Sequence, residues 1–236
     1  MTQMFRNISQ RILFSFLFIS FALNIFFAVF LYEQSRVVFV PDGDSLELRD
    51  GRRVRLLGVD APEKGRCLSE EARIRLSQRT LGRRVRLKNI VKDDYGRILA
   101  NVIIDAPFDE WMGYLYARFV KKQAYHPTAF VNGLMVEEGL ARYTFATSPY
   151  SGWLKRSHEE AKTGKRGIYS GFCQQNTPVN LDCPIKGNVR NGEKTYHLPA
   201  CDNYSQTIVD LSYGDQWFCT QDDALLAGFQ KASACR

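Results

Sequence analysis

The pattern of apolar and polar positions divides the chain into three unequal parts. Ile12 to Tyr32, ILFSFLFISFALNIFFAVFLY, is an uncharged run with Asn24 as its one strongly polar member. At about 1.5 Å per residue such a helix spans a hydrocarbon core of about 30 Å. No face is left for water, so a buried helix of a soluble domain is a poor reading. After Arg36 the pattern turns short and alternating. VVFV ends at Pro41, Asp42-Gly43-Asp44 has turn chemistry, and SLEL follows. Asp50-Gly51 is a hairpin signal before RRVRLLGV. Ser69 to Arg79 reads as a helix, with Ser69 as cap, Glu70 and Glu71 in the first turn and Gly82 as the stop, although Ile74 interrupts its apolar stripe. RRVRLKNIV sets Arg84, Arg86 and Lys88 against Val85 and Leu87, which predicts a strand with one basic face. DDYGR is a turn and ILANVII a further strand. Asn132-Gly133 reads as a turn, LMVEEGLARY as a short helix ending at Gly139, and Trp153 to Lys162 as a polar helix, with RGIYSG closing the segment.

Short strands with a few helices in this order suit a mainly β fold with α elements, a five-stranded Greek-key barrel of the OB type. We expect residues 1–36 to be an N-terminal transmembrane helix, 37–172 the barrel domain, and 173–236 a small cysteine-rich α+β module. The polar stretch Gln174 to Asn180 reads as a linker between the last two.

Charge sharpens this division. Residues 1–36 carry +2, residues 37–172 carry +7, and residues 173–236 carry −2, for a net +7 over 236 residues. A basic middle segment suits a polyanionic partner, of which nucleic acid is the common kind, or simply a solvated surface. Arg6 and Arg11 precede the apolar run and no acid does before Glu33, a bias that puts the N-terminus inside and the rest outside. The expected location is therefore the cell membrane, single-pass, with the later domains extracytoplasmic. The alternative is secretion after signal cleavage, but no A-x-A-like site is evident near Ala22, Ala28 or Tyr32. The six cysteines, five of them after residue 172, fit an oxidising compartment. Disulfides among Cys183, Cys201, Cys219 and Cys235 are expected. A zinc site with His197 is the rival, although the spacing lacks C-x-x-C pairs.

Chemistry concentrates in Val40 to Glu63, which holds six acidic residues and four arginines in twenty-four positions. Asp44, Asp60 and Glu63 fall at strand ends or turns. Gathered carboxylates repel unless a cation relieves them, and a hard divalent ion takes carboxylate, carbonyl and water oxygens. His126, His158 and His197 stand in no catalytic pattern, so a carboxylate base is the better choice. Arg55 and Arg97 could fork onto phosphate oxygens. From residues alone this is a metal-assisted phosphodiesterase, set against solvated arginines and ordinary turns. Asp105 to Ala129 adds six aromatics, Phe108, Trp111, Tyr114, Tyr116, Phe119 and Tyr125. They read as a base-stacking or bilayer-touching lip, or as an elaborated hairpin over the barrel.

DGDSLEL, VRLLGVDAPE, DDYGR, VNGLMVEEGLARY and RGIYSG, in that order over residues 37–171, resemble the staphylococcal nuclease family. The resemblance implies an OB-fold and calcium-dependent hydrolysis of DNA and RNA. It implies Asp44 and Asp60 as the carboxylates on Ca2+, and Ala61 as a carbonyl ligand where the family's archetype has threonine. Glu63 is implied as general base, Arg55 and Arg97 as the arginines on the scissile phosphate, and Asp93 and Tyr95 as flanking substrate positions. Two features depart from the archetype. The stretch 105–128 is longer, and Phe145 replaces a tyrosine near the base. A non-catalytic OB-fold that binds nucleic acid at the membrane is the rival reading, but such a protein would be free to lose Asp44, Glu63 or Arg97. The C-terminal runs IKGN, GEKTYHLP and WFC…AGF resemble a small module that follows bacterial nuclease domains of this type, sometimes called the sunset domain. Thr220 is placed to cap its last helix, with Asp222 and Asp223 in the first turn.

Overall fold

The computed structural model describes residues 2–105, 130–233 and 235. The aromatic-rich stretch lies, from residue 106 to 129, outside the described residues.

Helix α1, Thr2–Glu33, carries the apolar run. Its window Phe16–Glu33 has a mean hydropathy of 2.0 and no buried share, so it is long and apolar enough to cross a membrane, as a signal sequence would also be. The helix ends against the next domain. Glu33 accepts from Arg36 at 2.7 and 2.8 Å and from Arg84 at 2.8 Å, and the Arg84 guanidinium lies 3.8 Å from the Tyr32 ring centroid.

Four short strands follow: β1 (Val37–Phe39), β2 (Ser45–Leu48), β3 (Arg53–Leu56) and β4 (Val59–Asp60). Then come helix α2 (Ser69–Thr80), the long strands β5 (Val85–Lys92) and β6 (Ile98–Ile104), helix α3 (Val131–Glu137), strand β7 (Arg142–Tyr143) and helix α4 (Ser151–Thr163). A 3-10 turn at Gly167–Tyr169 ends the domain. The main sheet has the order β1-β2-β3-β6-β5, with β3 and β6 parallel, and β4 pairs separately with β7. Among the described residues no ladder pairs β1 with β5; the segments just before them meet at the bridge Arg36–Arg84 and through the bonds Val37 N to Arg83 O (2.9 Å) and Val85 N to Ser35 O (3.1 Å). Alternation along β2 and β3 buries Leu46, Leu48, Val54 and Leu56, and α2 adds Ala72 and Leu76 to the same core.

Three local expectations need correction. Ser69 does not cap α2: the preceding Leu68 is left-handed, at φ 61°, and the Ser69 hydroxyl accepts instead from the Gly65 N–H, closing the loop before the helix. Asn132 and Gly133 form no turn but lie inside α3, because the Asn132 side chain pins that helix to the sheet. Its amide donates to the carbonyls of Leu57 (3.0 Å) and Ala100 (3.2 Å), and its oxygen accepts from Val102 N (2.9 Å). The alternation of β5 holds only to Lys88. A register break follows, with Asn89 at φ 50°, and Ile90 and Val91 turn to solvent.

The C-terminal module begins where a linker was expected. Gln174–Gln175 is strand β8, paired with β11 (Val209–Asp210). A second sheet of order β12-β9-β10-β13 follows, from β9 (Ile185–Arg190), β10 (Glu193–His197), β12 (Gln216–Phe218) and β13 (Gln230–Lys231). The last helix, α5 (Gln221–Leu226), has the expected Thr220 cap. All six cysteines are paired, as Cys67–Cys173, Cys183–Cys219 and Cys201–Cys235. That removes the thiolates a zinc site would need, and His197 bonds to the Asn203 side chain at 3.1 Å.

Candidate active site

The site grows from the turn before β2. In that turn Gly43 is wedged between Ala61 and Ala72: a Cβ there would stand 2.7 and 2.6 Å from their Cβ atoms. This close approach carries Asp44, only 3% exposed, under the β4 end. One Asp44 oxygen accepts from Arg55 Nη1 (2.8 Å) and the Ser45 hydroxyl (3.0 Å), and the other from Ala61 N (3.0 Å). Arg55 sits opposite because β2 pairs with β3 in the register Ser45–Arg55. Its Nη2 donates to Asp60 at 2.7 Å, so one guanidinium bridges the two carboxylates. Burial pushes the Asp44 carboxyl up to about 7, against the pull of Arg55 and of the Ala61 N–H, while the Asp42 charge adds to the rise. A buried carboxylate held by one partly exposed guanidinium is thus short of positive charge.

The structure brings Asp44, Arg55, Asp60 and Ala61 together. Glu63, three residues after Asp60, is exposed, and its carboxylate makes no hydrogen bond or ion pair among the described residues. Arg97 immediately precedes β6, the strand that runs parallel beside β3 in the register Arg55–Leu99. Its guanidinium pairs with Asp93 at 2.6 Å, and the charge of Asp44 acts on it. Partial desolvation raises the Asp93 carboxyl, but Arg97 and the N–H groups of Arg97 and Tyr95 outweigh it and hold it below the usual range. Tyr95 is 85% exposed, with its ring centroid 5.4 Å from the Arg97 guanidinium. Asp93 therefore buttresses Arg97 and the turn. Phe145 also faces solvent. His158 is structural, since its Nδ1 accepts from Tyr143 N at 3.2 Å.

Among the described residues no three His, Cys, Asp or Glu side chains gather as a metal cluster. The donor set is instead two carboxylates, Asp44 and Asp60, and the Ala61 carbonyl, which accepts no hydrogen bond among the described residues. All three are hard oxygens, and the cluster lacks compensating charge, so these residues fit a hard divalent cation that keeps water in its remaining positions.

Sequence reasoning gave no role to Arg142, which lies in the quoted run VNGLMVEEGLARY. In the β4–β7 ladder it is the register partner of Asp60. Its guanidinium reaches the C-terminal module, where it donates to Asp210 at 3.0 Å and to the Ser212 hydroxyl and lies 4.2 Å from the Tyr213 ring centroid. Only an ion pair between distant segments revealed it, and no local pattern signals that.

Residues 53–171 match the family described as staphylococcal nuclease homologue. The chain is 29% identical over 141 residues to a micrococcal nuclease of Shigella flexneri, covering 58% of this chain and 74% of the relative. It is 31% identical over 143 residues to an uncharacterized endonuclease of Escherichia coli, covering 58% and 77%. Protein ParB of Escherichia coli is 30% identical over 141 residues, covering 58% and 72%. The family match spans half of the chain and takes in every candidate site residue except Asp44, and the chain belongs to the staphylococcal nuclease homologues.

Proposed function

We propose that this protein is a calcium-dependent nuclease that hydrolyses phosphodiester bonds in DNA and RNA at the outer side of a membrane. The observation that carries the reading is the cluster in which Arg55 bridges buried Asp44 and half-exposed Asp60 beside the Ala61 carbonyl. The matched relatives named as nucleases support the same activity. The bridge Arg36–Arg84 supports an OB-type barrel as the scaffold.

Asp44, Asp60 and the Ala61 carbonyl would hold the cation. When bound, Ca2+ would supply positive charge against the phosphate oxygens. Arg55 already points two donors into the cluster, and a phosphate there takes the fork that the carboxylates now share. Arg97, held by Asp93, adds a second guanidinium where charge develops. Glu63 is unengaged and solvent-facing, so it can take a proton from the water that attacks phosphorus. Tyr95 offers an exposed ring beside Arg97 for the substrate.

The disulfides suit an oxidising, extracytoplasmic compartment, and Arg6 and Arg11, before the apolar run of α1, suit a cytoplasmic N-terminus. In this reading α1 tethers the enzyme.

Plasmid DNA incubated with the full chain in detergent, with and without Ca2+, tests the activity. Cleavage is expected only with the cation. Glu63→Gln should lower turnover by about 10²–10⁴-fold while leaving the folded signal by circular dichroism intact. Parent-rate cleavage by that variant would remove Glu63 from its role. A parent that binds DNA but never cuts it would leave a binding module.

A further inference from the structure

A second cleft opens next to the proposed base. It has a volume of about 760 Å³ and lies between the nuclease domain and the C-terminal module, within the range of about 300–1,000 Å³ common for ligand sites. One wall is the segment that follows Glu63, with Lys64, Arg66 and Leu68. The other is the module's Leu211 and Gly214–Gln216, with Lys194, and Phe172 lies at the junction. The walls are fixed to each other by the Cys67–Cys173 disulfide and by the backbone bonds Cys67 N to Leu211 O (3.3 Å) and Leu211 N to Cys173 O (2.9 Å).

The lining is cationic and underused. The side chains of Lys64 and Arg66 make no hydrogen bond or ion pair among the described residues, and the Lys194 ammonium donates to the Ala227 carbonyl at 3.1 Å and lies 5.4 Å from the Phe229 ring centroid. Of the two acids present, Asp215 is spent on Arg190, Asn188 and backbone amides, which leaves Glu71. The Arg66 guanidinium is carried by the module itself: it lies against Gly214, at φ 95°, within 3.1–3.4 Å of where a Cβ would stand. Any other residue at 214 would both strain the loop and push Arg66 away. Phe172 is 70% exposed, a large aromatic face beside these charges. Lys64 also lines the smaller pocket beside Asp42, so this one cation is shared by the two cavities. Charges on a track with an exposed ring are what a flexible polyanion of stacked bases requires.

We propose that this cleft is a second nucleic-acid subsite, which holds the single-stranded flank of the substrate beyond the scissile phosphate. Lys64, Arg66 and Lys194 take phosphates, and Phe172 stacks on a base. The C-terminal module is then half of a binding groove. The proposal rests on the nuclease reading for its substrate class, but its test does not need cleavage.

The full chain in detergent is titrated with a fluorescent single-stranded oligonucleotide of about 12 nucleotides, within an OB-fold footprint, under chelator, and anisotropy is read across salt. Lys64→Glu/Arg66→Glu/Lys194→Glu should weaken binding at least tenfold and reduce the salt slope by about 2, at about 0.7 per phosphate contact. Phe172→Ala should weaken it about fivefold or more with the slope kept. In Ca2+, the triple variant should lose at least five times more activity on a long strand than on a dinucleotide, through KM rather than kcat. Lys194→Gln alone, remote from the catalytic turn, should show the same trend in smaller measure. Unchanged affinity and slope in the triple variant would overturn the proposal, as would equal losses on long and short substrates. So would a cleft whose charge reversal abolished only binding to anionic lipid vesicles. If the parent binds the oligonucleotide through these residues yet cuts nothing in Ca2+, the subsite stands and the nuclease reading falls.

Discussion

The nuclease domain and the C-terminal module solve the same problem with different means. Among the described residues, the domain gathers twenty buried apolar residues into one cluster running from Val37 to Leu154. The module's largest cluster has five, Ile185, Tyr196, Phe218, Ala224 and Phe229. A chain of about 60 residues buries so little apolar surface that its stability is marginal. It therefore uses two internal disulfides and a buried polar network. The Asp215 carboxylate accepts from Asn188 (2.8 Å), Val189 N (2.7 Å), Asp210 N (2.9 Å) and Arg190 (3.1 and 3.3 Å). Lys186, 2% exposed, donates to the carbonyls of Tyr204 (2.9 Å) and Thr207 (2.6 Å), and burial draws its ammonium below the usual range. Apolar mass specifies the first region, and directional bonds specify the second.

Reduction should break this comparison most visibly. Each native disulfide of a small domain contributes about 2–5 kcal/mol, so opening two leaves the module without net stability. Hydrogen exchange of the full chain in dithiothreitol should show amides of 183–235 losing protection while β5 and β6 keep theirs. Equal loss in both regions would mean that the nuclease core depends on the staples as well.

Removing one polar hub comes next. Asp215→Ala removes the acceptor of two backbone N–H groups, of Asp210 (buried) and Val189 (partly buried), and one of the two acceptors of the Asn188 amide, at a cost of about 1–3 kcal/mol for each buried donor left unsatisfied. Denaturant unfolding followed by the fluorescence of Trp217, which lies in the module, should shift strongly. A shift under about 1 kcal/mol, the scale of a surface pair, would show that Asp215 is peripheral to the module.

The two regions also differed in how far sequence reached. Elements with local signals were legible: β2 and β3 alternate, Asp50-Gly51 turns, and DDYGR closes on itself with Gly96 N to Asp93 O at 2.9 Å. The candidate site was legible because motif order brought Asp44, Arg55, Asp60 and Ala61 to one place. What failed was set at a distance. Asn132 looked like a turn residue because Asn-Gly usually is one, and its three sheet contacts come from residues 30 or more positions away. The β5 bulge and the Arg142–Asp210 pair have the same origin. In the module the number of cysteines predicted cross-links, but pairing is a property of the fold, and Cys67 joining Cys173 over a separation of 106 residues has no local signal.

The smallest effect tests whether directional bonds matter in the module down to single caps. Helix α5 has six residues, too few to be stable through its own propensity. The Thr220 hydroxyl accepts from Asp223 N at 3.1 Å, and the Asp223 carboxylate accepts from Thr220 N at 3.1 Å, which satisfies two end groups reciprocally. Thr220→Ala should cost about 1 kcal/mol, which raises exchange at the Asp223 and Ala224 amides about fivefold and leaves α2 untouched. Helix α2 has no side-chain cap, yet it buries Ala72 and Leu76 in the large core and is twice as long. If Thr220→Ala left exchange in α5 unchanged, Ala224 packing against Phe229 and its neighbours would suffice, and the module would be held by apolar contact after all.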